Sequence, residues 1–325
     1  MKWTIALGLL ALLIHSNRGD LSQFGGLRKD WNLIGVAFAL CLFATLLTFL
    51  RWFLLVLVLD FPFRIRDAIR LGFMGQLFIY AGPGLMGADI FKAFFLAKDN
   101  PGRRGIAAST VFLDRLLGML SLFILGALAS ISAPASGSGI DMPLRWLLWG
   151  GSISGVIGVA VLLQPFVTRN RLIQKLGTLP TIGRVMMGIL NGVGLYQNRP
   201  RVIVLAILIG IVSHACNFTG MYFCAQALGL KNTAPSLISH LFLMPAAAFT
   251  ALLPVPGGIG PQEFVIKELY SIRDETSPAG LWVAIAFRIV NLAISAIGLA
   301  YYLPMRRQVD KVIEQSSQDT PSPAP

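Results

Sequence analysis

The chain has 325 residues, of which 55% are hydrophobic and only 13% are charged. A soluble domain carries about 25% charged residues, so the composition excludes an ordinary soluble protein. The formal net charge of +12 is compatible with nucleic-acid binding on its own, but the distribution of the basic residues described below argues against a nucleic-acid partner.

Apolar runs close to or above the length of about 20 residues that spans a bilayer as a helix recur along the chain. We therefore predict an all-α, polytopic membrane helix bundle of about eight segments. Six of these segments are predicted to be simple crossings: Trp3–His15, Trp31–Leu59, Ile106–Ile131, Arg145–Val167, Val202–Leu228 and Leu281–Leu303.

The first two runs need comment. Trp3–His15 follows Met1-Lys2 and has a signal peptide as its alternative interpretation, but no small-x-small cleavage site follows it, and we expect it to be retained. The second run contains Arg51 near its middle or inner third. Long basic side chains near helix ends often extend to the headgroups while their stems stay in hydrocarbon, and we expect Arg51 to do so on the cytoplasmic side.

Two further apolar segments, Leu71–Ala97 and Leu237–Ser271, are interrupted. Proline lacks a backbone N–H and glycine weakens a helix, so each should divide into half-helices too short to cross alone. We predict two hairpins, each entering and leaving the membrane on one side. The interruptions are Gly82-Pro83-Gly84-Leu85-Met86-Gly87-Ala88-Asp89 and Val255-Pro256-Gly257-Gly258-Ile259-Gly260-Pro261-Gln262-Glu263.

The two interruptions correspond to each other. Both read Pro-Gly-x-x-Gly followed by an acid, their prolines are 173 residues apart, and an arginine follows each proline by 32 residues, Arg115 in the first half and Arg288 in the second. Broken helices at matching places in two halves mark the binding site in many transporters. We predict inverted repeats, with halves of about 1–140 and 145–305, in one membrane domain of residues 1–305. A cytoplasmic, disordered tail, 306–325, follows it.

The basic residues fall mainly on one side of this topology. With both termini cytoplasmic, the predicted cytoplasmic parts hold 16 Lys and Arg residues and the outer parts hold six. This is the positive-inside pattern of a multi-pass protein, which we expect in the cell (inner) membrane. The longest polar connection, Thr168–Arg201, has six basic and no acidic residues, and Val185–Tyr196 within it is predicted to lie along the inner membrane surface as an amphipathic helix.

Besides Arg51, eight charged residues lie inside predicted membrane segments: Asp89, Lys92, Asp114, Arg115, Glu263, Lys267, Glu268 and Arg288. A charge at the centre of a membrane helix costs about 2.5–3.5 kcal/mol on insertion scales, so these groups should pair or line water. Helical spacing predicts a pair between Glu263 and Lys267 and another between Asp89 and Lys92. The whole set is interpreted either as structural staples between helices or as a polar pocket near mid-membrane.

The pocket interpretation predicts a lipid-headgroup site. Each half-helix that begins after a break exposes backbone N–H groups and the positive end of its dipole, which suits a phosphate. Arg115 and Arg288 would assist, and Asp89 and Glu263 would neutralise them when the site is empty. The candidate headgroup-binding residues are Pro83, Gly84, Gly87, Asp89, Lys92, Asp114, Arg115, Pro256, Gly257, Gly260, Glu263 and Arg288.

The run Ala68–Met119, with its Gly82–Asp89 motif and Leu113-Asp114-Arg115-Leu116-Leu117-Gly118, resembles the lysylphosphatidylglycerol synthase transmembrane region family, and Leu253–Glu263 continues the resemblance. The resemblance covers about residues 1–305 and implies a bundle of about eight membrane segments that handles polar lipids, as in the flippase-like domain of the multiple peptide resistance factor. Two departures stand out. The soluble aminoacyl-transferase domain of the full synthase is absent, so lysyl transfer is not expected, and Lys92 stands where an arginine is common.

Other function classes receive less support. The sequence has no Gly-Lys-Ser/Thr phosphate loop and no metal-ligand spacing among its three cysteines and three histidines, so we expect no cofactor, metal or catalytic site. An intramembrane enzyme stays open as an alternative because sequence distance does not exclude a spatial pair of Ser213 or another nucleophile with a histidine. A membrane subunit that recruits a lipid-modifying or glycosyl-transferring enzyme through the basic loop, 168–201, is the other alternative.

Overall fold

The computed structural model describes residues 29–81, 85–98, 102–134, 139–165, 182–230, 234–253, 255–271 and 279–318. The predicted crossing Trp3–His15 lies outside these residues, as do Pro83 and Gly84 of the first motif. All regular structure in the described ranges is helical, which confirms the predicted all-α class. The helices are α1 (Trp31–Leu57), α2 (Ile65–Ala81), α3 (Leu85–Lys98), α4 (Arg104–Ser132), α5 (Asp141–Leu162), α6 (Ile182–Gly194), α7 (Pro200–Ala227), α8 (Leu237–Ala248), α9 (Pro261–Ser271) and α10 (Ala279–Gln318).

Within the described ranges, five helices are long and apolar enough to cross a membrane: α1, α4, α5, α7 and the Ala279–Pro304 part of α10. A helix satisfies its backbone polar groups within the segment, which is what hydrocarbon demands. These five helices coincide with five of the six predicted simple crossings, and their length and composition indicate a multi-pass membrane protein.

The end of α10 differs from the prediction. The helix continues through Pro304 to Gln318, whereas we predicted disorder from residue 306. The stretch Met305–Gln318 is rich in Arg, Gln, Lys and Glu, which are strong helix formers, and this propensity outweighs the polarity that suggested disorder. Residues 319–325 lie outside the described ranges.

The second interrupted segment breaks where its Pro-Gly motif predicts, and the described helices of the first segment lie on either side of its motif. Helix α2 ends at Ala81 and α3 begins at Leu85, while α8 is followed by two short 3₁₀ turns, Phe249–Leu252 and Pro256–Gly258, before α9 begins. In the second break Gly257, Gly258 and Gly260 have φ angles of 59°, 64° and 96°. Glycine adopts such left-handed backbone readily because it has no Cβ, so the glycines of the motif make this turn possible. The two arms of each hairpin contact each other.

The helix contacts of the first half recur in the second. In each half the second hairpin arm packs on the long helix that follows it, α3 on α4 and α9 on α10. The first arms cross over, because α2 packs on α10 and α8 packs on α4. Helices α1 and α7 pack closely along each other. The crossed contacts of the first arms interlock the two parts of the chain, and α2 also contacts the turn Pro256–Gly258 of the second hairpin.

Helix α6 overlaps the predicted Val185–Tyr196 helix, and its position relative to the membrane surface stays a prediction. It packs against α4 so closely that a Cβ on Gly188 would lie 2.8 Å from the Cα of Gly105. Just beyond its end, Tyr196 is buried, and its hydroxyl donates a hydrogen bond of 2.7 Å to the carbonyl of Leu55 in α1. The apolar face that suggested a membrane-surface helix therefore covers the bundle itself.

Candidate functional site

A cavity of about 330 Å³ lies between the two hairpins and the long helices. Part of its wall is apolar, from residues such as Leu122 and Phe249. Polar side chains face it from both halves of the chain: Gln76 and Tyr80 of α2, Arg115 of α4, Asn217 of α7, and Arg288 and Asn291 of α10. Arginines and amides inside a membrane bundle are costly unless they pair or face water, so the polar lining marks this cavity as the candidate site.

Arg115 forms a bidentate ion pair with Asp89. Its Nε donates to Oδ2 of Asp89 at 2.6 Å and its Nη2 donates to Oδ1 at 2.8 Å. The arginine side chain remains 33% exposed and the aspartate side chain 22% exposed. The pair joins the second arm of the first hairpin to α4 and leaves both partners accessible.

Arg288 forms the equivalent pair in the second half but is bound much more completely. Its Nε donates to Glu263 at 2.6 Å and its Nη2 donates to the side-chain oxygen of Gln262 at 2.8 Å. The guanidinium also donates to the backbone carbonyl of Gly257, and Tyr80 of the first hairpin is a further partner. The side chains of Arg288 and Glu263 are only 12% and 1% exposed, so this pair fastens the turn of the second hairpin.

In the same turn, one of the backbone N–H groups that the sequence predicted would bind a phosphate is already hydrogen-bonded within the protein. The N–H of Gly260 donates to Oε2 of Glu263 at 2.7 Å, and the next residue, Pro261, has no N–H. One backbone donor at the start of α9 is therefore bound by the glutamate of the same helix, in the manner of a capping box. It offers less to an external anion than we predicted. For the first hairpin, the break at 82–84 lies outside the described residues.

A third ion pair, which the sequence did not suggest, joins α1 to α4. Arg51 Nε lies 2.7 Å from Oδ1 of Asp114, and the two side chains are 6% and 7% exposed. A Cβ on Gly118 would lie 2.9 Å from the guanidinium, so this glycine provides the space for Arg51. The expectation that Arg51 extends to the headgroups was wrong, because a carboxylate in the neighbouring helix supplies a partner inside the bundle.

Lys92 is the remaining buried cation of this region. The residue is 7% exposed, and among the described residues no carboxylate oxygen lies within 4.0 Å of its ammonium. Its Nζ instead lies 5.1 Å from the ring centroid of Trp52 and 5.9 Å from that of Phe49. Aromatic faces attract a cation at such distances.

The two pairs predicted from helical spacing were wrong. Asp89 pairs with Arg115 rather than Lys92, and Glu263 pairs with Arg288 rather than Lys267. Of the carboxylates in the described ranges, Lys267 approaches only Glu268, at 4.0 Å. Arginine in a neighbouring helix offers two aligned donors to a carboxylate, which an adjacent lysine on the same helix does not.

Some of the predicted site residues line the cavity and others do not. Arg115, Gly257, Glu263 and Arg288 line the cavity, and Asp89 contacts it through Arg115. Asp114 and Lys92 lie behind the lining, next to Arg51. Gly87 belongs to α3, Pro256 to the 3₁₀ turn Pro256–Gly258, and Gly260 precedes the start of α9.

Sequence reasoning missed several polar residues of the lining: Arg51, Gln76, Tyr80, His214, Asn217 and Asn291. The amides and the histidine interrupt apolar runs, and that is the signal that would have identified them. His214 donates from Nε2 to the carbonyl of Gly118 at 3.1 Å, while the neighbouring Ser213 donates to the carbonyl of Ala44 at 2.8 Å. These two side chains are therefore oriented toward different helices and not toward each other as a nucleophile and base.

Comparison with known families agrees with the bundle and its motifs. Residues 2–298 match the family model described as Lysylphosphatidylglycerol synthase TM region. The chain belongs to this family. The match confirms the resemblance seen in the Pro-Gly and Asp-Arg motifs, and neither the curated proteins nor the solved structures gave a match.

Two observations concern metal binding and the recruitment of a soluble enzyme. Within the described ranges, no three His, Cys, Asp or Glu residues are grouped so that they would hold a metal ion. Most of the polar part of the basic loop, residues 166–181, lies outside the described ranges, and its described part is largely the docked helix α6. The predicted recruitment of a soluble enzyme through residues 168–201 therefore stays a prediction.

Proposed function

We propose that this membrane protein binds polar or anionic phospholipids by their headgroups in the central cavity and moves them across the bilayer. The observation that carries the proposal is the Asp89–Arg115 pair, which is partly accessible at a cavity that polar side chains line in part inside a membrane bundle. The other arginine of the repeat, Arg288, is occupied by the hairpin turn.

Arg115 has the chemistry that headgroup binding needs. A phosphate presents two oxygens to a guanidinium with much the same geometry as a carboxylate. Lipid phosphate can therefore take the place that Asp89 occupies on Arg115 when no lipid is bound. The exposed fraction of 33% gives the phosphate an approach that the nearly enclosed Arg288 lacks.

The size of the cavity fits a headgroup better than a whole lipid. Its volume of about 330 Å³ lies at the lower end of the range of roughly 300–1,000 Å³ for small-molecule sites. A glycerophosphate headgroup fits this space, while two acyl chains do not. The chains therefore stay in the surrounding bilayer, and only the polar part of the lipid crosses through the protein.

The amides of the lining support transient binding. Asn217 and Asn291 face the cavity from α7 and α10 and offer both donors and acceptors to headgroup hydroxyls. Such neutral partners stabilise a polar headgroup at mid-membrane without holding it as a second charge would. We place the protein in the cell (inner) membrane with both termini cytoplasmic, in keeping with the positive-inside distribution of its loops.

The experiment is a scrambling assay in proteoliposomes that contain a fluorescent phospholipid and an impermeant quencher. Wild-type protein should expose the inner-leaflet lipid to the quencher, and Arg115→Met should reduce the rate at least about tenfold, since one charge-assisted bidentate contact contributes about 1.5–3 kcal/mol. Lys267→Met is the matched control, because this lysine does not line the cavity. Equal rates for protein-free and wild-type vesicles with every lipid tested would refute the proposal.

A further inference from the structure

The buried charges around the cavity do not cancel. Among the described residues, four cations line the cavity or lie directly behind its lining, and three carboxylates pair with three of them: Asp114 with Arg51, Asp89 with Arg115 and Glu263 with Arg288. Among the described residues Lys92 is the fourth cation and has no carboxylate within 4.0 Å. The group as a whole therefore carries one unmatched positive charge.

The described close contacts of the Lys92 ammonium are aromatic. Its Nζ lies against the faces of Trp52 and Phe49, which attract a cation. A buried charge without a direct partner is expensive, and its presence next to two cavity ion pairs points to a partner that is supplied from outside.

We propose that Lys92 sets the charge preference of the cavity, so that it favours headgroups with a net charge of −1, and that Asp89 moves from Arg115 to Lys92 when the lipid phosphate binds. The proposal rests on the proposed function and adds to it the class of lipid and the means by which the site opens.

The net charge of the site with each headgroup bound predicts which headgroup it prefers. With a phosphodiester headgroup that has no other charge, such as phosphatidylglycerol, the unmatched charge is cancelled. A zwitterionic headgroup leaves it in place, and a lysylated headgroup, whose net charge is +1, raises it to two. Because the site is surrounded by apolar helices and lipid, uncancelled charge is penalised more than it would be in water.

The exchange of Asp89 is possible within one helix. Asp89 and Lys92 are three residues apart on α3, so their Cβ atoms lie about 5–6 Å apart on the same face. The aspartate side chain is 22% exposed, which leaves room for a change of rotamer toward the lysine. The phosphate then takes the guanidinium, the lysine takes the carboxylate, and no charge is left without a partner.

The test is calorimetric titration of the purified full chain in detergent with short-chain dihexanoyl lipids. Wild-type protein should bind dihexanoyl-phosphatidylglycerol roughly tenfold more tightly than dihexanoyl-phosphatidylcholine, as expected for one charge at moderate distance and intermediate dielectric. Lys92→Met should lose that preference while it still binds dihexanoyl-phosphatidylcholine like the wild type, which shows that it is folded. Lys92→Arg and the control Lys267→Met should keep the preference.

A second variant keeps the test decisive if Lys92→Met does not fold. Asp89→Asn removes a negative charge, which leaves one further positive charge unmatched and frees Arg115. The preference of this variant for the anionic lipid should therefore rise above that of the wild type. An unchanged preference in Lys92→Met, or in Asp89→Asn, overturns the inference and leaves the proposed function standing. Absence of binding of both lipids by the wild type counts against the proposed function itself and removes the inference with it.

Discussion

Replacing Arg288 by methionine should destabilise the protein far more than the same change at Arg115. Although the sequence places the two arginines at equivalent positions, Arg288 binds the carboxylate of Glu263, which is 1% exposed, and the backbone of the second hairpin turn. Arg115 binds only Asp89 among the described residues, and both of these side chains remain accessible.

The expected magnitudes follow from burial. Removing one partner of a buried pair leaves the other charge uncompensated and costs about 3–5 kcal/mol, which is the loss expected for Arg288→Met. Loss of a partly exposed pair costs about 0–1 kcal/mol, which is the loss expected for Arg115→Met. Arg288→Met also removes hydrogen bonds to the turn, so about 3–5 kcal/mol is a lower bound on its loss of stability. The extra loss does not simply add to this figure, because neighbouring contributions are not additive.

The assay is the free energy of unfolding of each purified variant, measured by titration with a denaturing detergent and followed by circular dichroism. The double variant Arg288→Met with Glu263→Gln should recover part of the loss, because it removes the unpaired carboxylate. Equal losses for the two arginine variants, or an Arg288→Met protein within about 1 kcal/mol of the wild type, would refute the division of the arginines into a structural and a binding group.

Three further predictions concern single contacts between helices; the first two use the same titration and the third uses limited proteolysis. Asp114→Asn should cost about 3–5 kcal/mol because it strands the buried Arg51, and combining Arg51→Met with Asp114→Leu should restore most of that loss; no restoration would contradict the pairing. Tyr270→Phe should cost about 1 kcal/mol, because it removes the 2.6 Å hydrogen bond between the hydroxyl and Nε2 of His240; a stability equal to the wild type would show that this bond contributes nothing. Gly188→Val should detach α6 from α4 by steric overlap and make α6 sensitive to limited proteolysis, whereas unchanged resistance would argue against the close contact.

The recurring Pro-Gly motif explains why much of the site was predictable. The helix breaks follow from the backbone chemistry of proline and glycine, and an arginine at the same distance after each break predicted that Arg115 and Arg288 would be equivalent. Both do line one cavity, and each pairs with the acid that ends its own motif. Local chemistry and spacing were sufficient for these features.

Features that depend on packing between helices were not predictable. The partner of Arg51 is 63 residues away in another helix, and no local pattern connects them. Helical spacing favoured lysine partners for Asp89 and Glu263 on the same helix, but arginines in the adjacent helix replaced them. Similarly, the apolar face of α6 predicted a helix without saying whether that face would cover lipid or protein. In each case the missing information is which surfaces meet in the folded bundle.

The central claim is that a lipid phosphate contacts Arg115 inside the bundle, and the most direct measurement is a solid-state NMR dipolar coupling between arginine side-chain nitrogens and lipid phosphorus. Protein labelled at arginine would be reconstituted with phosphatidylglycerol, and spectra of the wild type would be compared with those of Arg115→Met. A coupling in the wild type that disappears in Arg115→Met is the predicted result. A coupling of the same strength in both proteins, or in neither, would contradict the account.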